Sequence, residues 1–144
     1  MTPEELARAC ADAMWADDPA SKSLGMALEH VAPGAARLSM EVRADMVNGH
    51  GMCHGGFIFT LADSTFAFAC NTYNERVVAQ HCAVTFLRPA RLGMRLAAVA
   101  AERTRAGRSG IYDVTVTAPD GSVIAEFRGH SRGLGQPFFQ DLPA

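Results

Sequence analysis

The residues able to do chemistry are concentrated in one stretch, Asn48-Gly-His-Gly-Met-Cys-His-Gly-Gly56, and in the apolar run from Phe57 to Asn71 that follows it. Four glycines (Gly49, Gly51, Gly55, Gly56) suggest a phosphate cradle. The spacing is neither GxxxxGK[ST] nor GxGxxG, however, and no lysine follows. His50, Cys53, His54 and Asp63 are potential metal ligands, but two of them are adjacent, whereas a closed tetrahedral site draws on separated pairs. Cys53 beside His54 has the composition of a thiol nucleophile with its base, although sequence neighbours rarely face each other. The remaining chemistry uses backbone. A helix beginning near Gly55 presents unpaired N–H groups and a positive dipole end, and glycines let a ligand carbonyl approach them. Such a site stabilises an oxyanion of the kind formed in acyl transfer. An ordinary Gly-rich turn into a helix has the same sequence.

Asp63 sharpens the question. It is the single carboxylate inside the run Phe57–Cys70, whose apolar residues cover the whole helix circumference and therefore predict a buried helix. It lies eight positions beyond Gly55, about 12 Å along the axis at ~1.5 Å per residue. A general base or nucleophile must come within roughly 3 Å of the reacting atom, as must the amide. One chain cannot bring both to one carbonyl, but two chains with antiparallel helices across a two-fold axis can. The other reading is a structural Asp bonded to a nearby loop or backbone, and these residues alone leave the two balanced.

The elements that must position this stretch follow from periodicity. Thr2-Pro-Glu-Glu5 starts a helix, with Thr2 as N-cap and Glu5 closing a capping box, and Asp17-Asp18-Pro19 ends it. Gly25–Val31 and the alternating Arg37–Arg43 predict two strands about a Pro33-Gly34 turn. After the central helix, Val77–Leu87 predicts a strand apolar on both faces, with His81 and Cys82 in the core. Leu96–Arg105, Ile111–Thr117 and Val123–Ser131 predict a meander with turns at Ala106-Gly107-Arg108 and Pro119-Asp120-Gly121. The tail from Gly133 to Ala144 has no period and predicts a loosely held end. The order is helix, two strands, buried helix, strands. That predicts one α+β domain over 1–144, an antiparallel sheet curled around a central helix.

Composition narrows the classes. The chain has 144 residues and a formal charge of −2, so nothing at whole-chain level points to nucleic acid or a membrane surface. Residues 1–75 hold 4 basic and 10 acidic side chains, and residues 76–144 hold 9 and 5, every basic one an arginine. Arginine suits phosphate, although a solvated sheet face has the same composition. Four cysteines without CxxC spacing, and a start in an acidic helix rather than a leader, predict reduced thiols in a cytoplasmic protein. The apolar run is shorter than a membrane span and contains Asp63.

Asn48-Gly-His, Cys53-His-Gly-Gly56, Leu61-Ala-Asp63, Phe66-Ala-Phe-Ala-Cys-Asn71, Phe86-Leu-Arg-Pro89 and Phe127-Arg-Gly129 together resemble the hotdog-fold acyl-CoA thioesterases, in particular the phenylacetate-pathway (PaaI-type) branch. The similarity runs from Met14 to about Gly133. It implies a hotdog fold and a dimer with a continuous sheet, often paired into a homotetramer. It also implies hydrolysis of phenylacetyl-CoA and its ring-hydroxylated derivatives, with no cofactor and no metal. Carried over by position, Asp63 is the catalytic carboxylate, the Gly55 amide polarises the thioester carbonyl, and Asn48 and His54 shape the pocket. Gly56, Ser64 and Thr65 stand beside them as substrate-binding positions, Ser64-Thr65 where relatives often show Thr-Ala. Among the arginines of the second half, Arg88, Arg105 and Arg128, with Arg103, Arg108 and Arg132, are candidates for the CoA phosphates. His81 occupies a position where many relatives carry a small residue. Two other activities share the fold: a non-catalytic acyl-CoA sensor, which would need an output element absent from this sequence, and a hydratase, which would use a histidine such as His54 as base.

Overall fold

The computed structural model describes residues 1–140 and Leu142. Helix α1 (Pro3–Ala16) starts as expected, with the Glu5 N–H donating to Thr2 Oγ1 at 3.1 Å, and buries Ala7, Cys10 and Ala11. A short α2 (Pro19–Ser23), too brief to leave a periodic signature, is capped by Asp18. The strands are β1 (Ala27–Ala32), β2 (Ala35–Glu41), β3 (Val77–Phe86), β4 (Arg95–Ala106), β5 (Ser109–Thr117) and β6 (Val123–Gly133), with helix α3 (Gly55–Cys70) between β2 and β3. They form one antiparallel sheet in the order β1-β2-β4-β5-β6-β3. This is the α+β hotdog architecture, a sheet curled around a long central helix.

The sheet presents Leu38, Met40, Leu96, Tyr112, Val114, Val116 and Phe127 to α3, which answers with Ile58, Leu61, Ala62, Phe66 and Ala69. Small residues let the layers approach. A Cβ at Gly129 would lie 2.7 Å from the Phe66 ring, closer than carbon atoms pack. Asn71 fixes the helix end to β3: its Nδ2 donates to Ala67 O and Val77 O, and its Oδ1 accepts from the Val77 N–H. Among the described residues no helix is long and apolar enough to cross a membrane.

Three expectations are corrected. Strand β3 is not buried on both faces; it is the sheet edge, with Val78 47% and Phe86 49% exposed. His81 is therefore exposed and Cys82 half-buried, rather than both being core residues. Helix α3 is covered on one side only, leaving a half-buried stripe of Phe59, Thr60, Asp63, Ser64 and Ala67 beside β3. The tail is held as far as Phe139. Asn74 accepts from the Phe138 and Phe139 N–H groups and donates to Phe139 O, and the Arg76 guanidinium lies 4.5 Å from the Phe138 ring centroid. The rest of that expectation reaches Asp141, Pro143 and Ala144, which lie outside the described residues.

Candidate active site

The turn before α3 is built by Asn48. Its Oδ1 accepts from the His50 and Met52 N–H groups at 2.9 and 3.3 Å, and its backbone pairs with Met52. Its Nδ2 has no hydrogen-bond partner among the described residues. His54 is the N-cap of α3, with Nδ1 accepting from the Gly56 N–H at 3.1 Å. That bond leaves Nε2 as the ring nitrogen able to donate. It also satisfies Gly56, while the Phe57 N–H donates to His54 O. The Gly55 N–H, at the first helical position, has no hydrogen-bond partner among the described residues. The helix head thus offers one free, dipole-backed amide.

Gly55 lines a cavity of about 380 Å³ whose walls also include Asn48, Ile58, Phe86 and Arg88. Phe86 explains the glycine: a Cβ at position 55 would sit 3.0 Å from its ring. Arg88 borders the cavity and donates through Nη1 to Val123 O at 2.8 Å.

Asp63 sits on the open stripe of α3, about two turns further on. Burial pushes its carboxyl above the ordinary value of 3.8, and no cation forms an ion pair with it among the described residues. Among the described residues its one side-chain contact of hydrogen-bond type is Cys82 Sγ, 4.0 Å from Oδ1.

Structure separates the other sequence candidates. Thr65 is buried and donates to Leu61 O within the helix. Ser64 Oγ lies 2.9 Å from Ser21 Oγ, which itself donates to Asp18 Oδ2 at 2.7 Å. Arg105 stands at the far end of α3, 3.5 Å above the Tyr73 ring centroid and paired with Glu102 at 3.1 Å. Arg128 lies on the outer sheet face in a two-bond pair with Asp113, at 2.7 and 2.9 Å. The structure therefore brings Asn48, His54, Gly55, Gly56 and Arg88 together, holds Asp63, Ser64 and Thr65 along the helix, and sets Arg105 and Arg128 apart. Sequence reasoning did not single out Phe86 as the cavity wall or Cys82 as the carboxylate's neighbour. Phe86 stood only in the family motif, and cross-strand proximity leaves no sequence signal.

Cys53 does not fit an activated nucleophile. Its thiol is raised by burial, and the His54 nitrogen that would serve as base is engaged in the cap. No group of three or more metal-ligating side chains occurs among the described residues.

The family model described as Thioesterase superfamily matches residues 50–125. Over 125 residues the chain is 40% identical to the acyl-coenzyme A thioesterase PaaI of Escherichia coli (strain K12), covering 87% of this chain and 89% of that protein. The structure of E. coli PaaI, a protein from the phenylacetic acid degradation operon, matches with a TM-score of 0.93 at 38% identity, over 94% of this chain and 99% of that one. A mutant of the phenylacetic acid degradation protein PaaI of Thermus thermophilus matches with a TM-score of 0.78 at 41% identity, over 81% and 100%. Fold, helix-head amide and these similarities agree: the chain belongs to the thioesterase superfamily, as a hotdog-fold, PaaI-like acyl-CoA thioesterase.

Proposed function

We propose that the chain, as a single domain over residues 1–144, hydrolyses aryl-acetyl-CoA thioesters such as phenylacetyl-CoA and its ring-hydroxylated derivatives, using composite sites made by two copies. The phenylacetic acid setting of the E. coli and T. thermophilus relatives supports the acyl class. The observation that carries the mechanism is a Gly55 N–H without a partner among the described residues, at the wall of the cavity, while Asp63 lies about 12 Å down the same helix.

The thioester carbonyl oxygen accepts from the Gly55 N–H, which stabilises the charge developing there. Asn48 Nδ2 and the His54 cap keep that end of the cavity polar and ordered. Asp63 of the second copy either removes a proton from the attacking water or attacks the carbonyl carbon itself. In both routes a C–O bond forms, the C–S bond breaks, and the CoA thiolate leaves and takes up a proton. In the second route the acyl group is then held on Asp63 as a mixed anhydride, which water cleaves to release the acid and restore the carboxylate. A raised carboxyl pKa brings Asp63 closer to the working range of a general base. In this reading Arg88, which borders the cavity, meets a CoA phosphate; Arg105 and Arg128 are already paired with carboxylates.

The second copy also accounts for the exposed surface. The half-buried α3 stripe and the apolar β3 edge, which carries unpaired backbone groups, are the surfaces an antiparallel partner would cover. Two such dimers pair into a homotetramer in this reading, and the enzyme works in the cytoplasm.

A thiol-release assay with phenylacetyl-CoA tests the function. Release that is lost in Asp63→Asn supports it. Binding of phenylacetyl-CoA without release would instead make the chain a sensor, and turnover untouched by Asp63→Asn would remove the assigned carboxylate.

A further inference from the structure

Strand β3 contains one residue more than its partner requires. Ala79 faces Ser131 and His81 faces His130, so Gln80 is an inserted bulge residue. A bulge exchanges the side-chain parity of a strand. Before it, Val77 packs toward the core opposite Gly133; after it, Cys82 and Val84 pack inward, opposite Gly129 and Phe127. Without the extra residue His81 would point at α3. With it, His81 is exposed on the outer face and the Cys82 thiol meets the Asp63 carboxylate, Sγ 4.0 Å from Oδ1.

Taking Asp63 as the catalytic carboxylate, as proposed above, we infer that Cys82 is a positioning residue: its S–H donates to Asp63 Oδ1, fixes the carboxylate plane, and leaves Oδ2 as the oxygen presented to water or carbonyl. The thiol is suited to this. Burial first, and the Asp63 charge second, hold it above its ordinary value of 9.0, so at neutral pH it is a proton donor rather than a repelling thiolate. It is a weak donor, which orients the acid without quenching its basicity. The bulge is then the device that selects this thiol over the neighbouring imidazole.

Other ionisable groups around Asp63 are few. Cys70, on α3 itself, is held near 12 by burial and remains neutral. Asp18, capping α2, reaches the helix only through the Ser21–Ser64 hydroxyl pair. From β3 the group is Cys82. In the composite site the second copy adds its own His54, which altering Cys82 leaves in place, so a change in the acid limb of the pH profile on altering Cys82 alone is a report on Asp63.

The test compares Cys82→Ala, Cys82→Val and Cys82→Ser with wild type and Asp63→Asn, using kcat, KM and the pH dependence of kcat/KM with phenylacetyl-CoA. Loss of the donor should lower kcat by about five- to tenfold, the effect of one modest hydrogen bond. KM should stay within about twofold, since the bond acts at the reacting carboxylate. The acid limb should move to higher pH, because the thiol favours the charged carboxylate. Valine fills the space without a donor and should match alanine, while serine returns a donor and should recover most of kcat. Unchanged kcat and acid limb in both Cys82→Ala and Cys82→Val overturns the inference, as does serine behaving like alanine. If Asp63→Asn keeps full activity, it is the assignment of Asp63 that falls.

Discussion

Replacing Gly55 by proline deletes the one N–H at issue and adds a ring beside Phe86. The first helical position tolerates proline, since its amide has no intrahelical partner. The preceding residue, His54, already has φ −61° and ψ 134°, the extended conformation a following proline imposes. The steric demand is a Cβ 3.0 Å from the Phe86 Cζ, and that ring, 49% exposed, can yield a few tenths of an ångström. Gly55→Ala carries the same Cβ but keeps the N–H, so it controls for the Phe86 contact, and the proline variant reports the loss of the donor together with the Cδ that replaces it. Removing one oxyanion donor lowers kcat by about 10²–10³, or ~2.7–4 kcal/mol at the transition state. In a thiol-release assay with phenylacetyl-CoA, Gly55→Pro should show that loss with circular dichroism and oligomeric state unchanged, and Gly55→Ala should stay within about tenfold of wild type. Turnover of the proline variant within about threefold of wild type would refute the reasoning. So would an alanine variant as impaired as the proline one.

Asp63→Asn should lower kcat by about 10²–10⁴ and yet raise Tm at neutral pH, because the folded protein holds that carboxylate away from water. With its folded pKa above 3.8, Asp63 favours the folded state when protonated. The Tm gain should thus be absent at pH well below 3.8 and grow as pH rises through the folded value; a constant gain, or a loss, contradicts this. His54→Ala should destabilise the fold by about 1 kcal/mol in urea unfolding through loss of the cap on Gly56, and His54→Asn, itself a good cap, should restore most of it. Arg88→Ala should raise KM for the CoA ester and flatten its salt dependence, whereas Arg128→Ala, which breaks a pair with Asp113 on the outer face, should leave KM unchanged.

Much of the architecture was legible because it is written in local rules. The Thr2 cap, the alternation in β5, the Gly107 and Gly121 turns and the apolar α3 all act over a few residues and stand where their patterns placed them. Strand β2 runs Ala35–Glu41 rather than Arg37–Arg43 and buries Ser39 along with Leu38 and Met40. Strand β3 was misread for a physical reason. An apolar run looks the same whether a second sheet layer or a second chain covers it, and within one chain Val78 and Phe86 are simply exposed. The tail was misread because its anchor, Asn74, combines a positive φ of 57° with side-chain bonds to residues more than sixty positions away, and neither has a period. At the site, the free Gly55 amide followed from glycine at a helix start. The engagement of Arg105 by Glu102 and of Arg128 by Asp113, and the meeting of Cys82 with Asp63, depend on register and one bulge, which composition does not encode.

Gly55 and Asp63 act on one carbonyl only if they come from different copies, and subunit mixing tests this directly. Asp63→Asn and Gly55→Pro chains, each inactive alone, are unfolded together in equal amounts, refolded and assayed for thiol release. Random pairing puts half the dimers in the mixed form, each with one intact site, so activity should return to about a quarter of wild type. Mixed dimers that form and stay inactive would contradict the shared site.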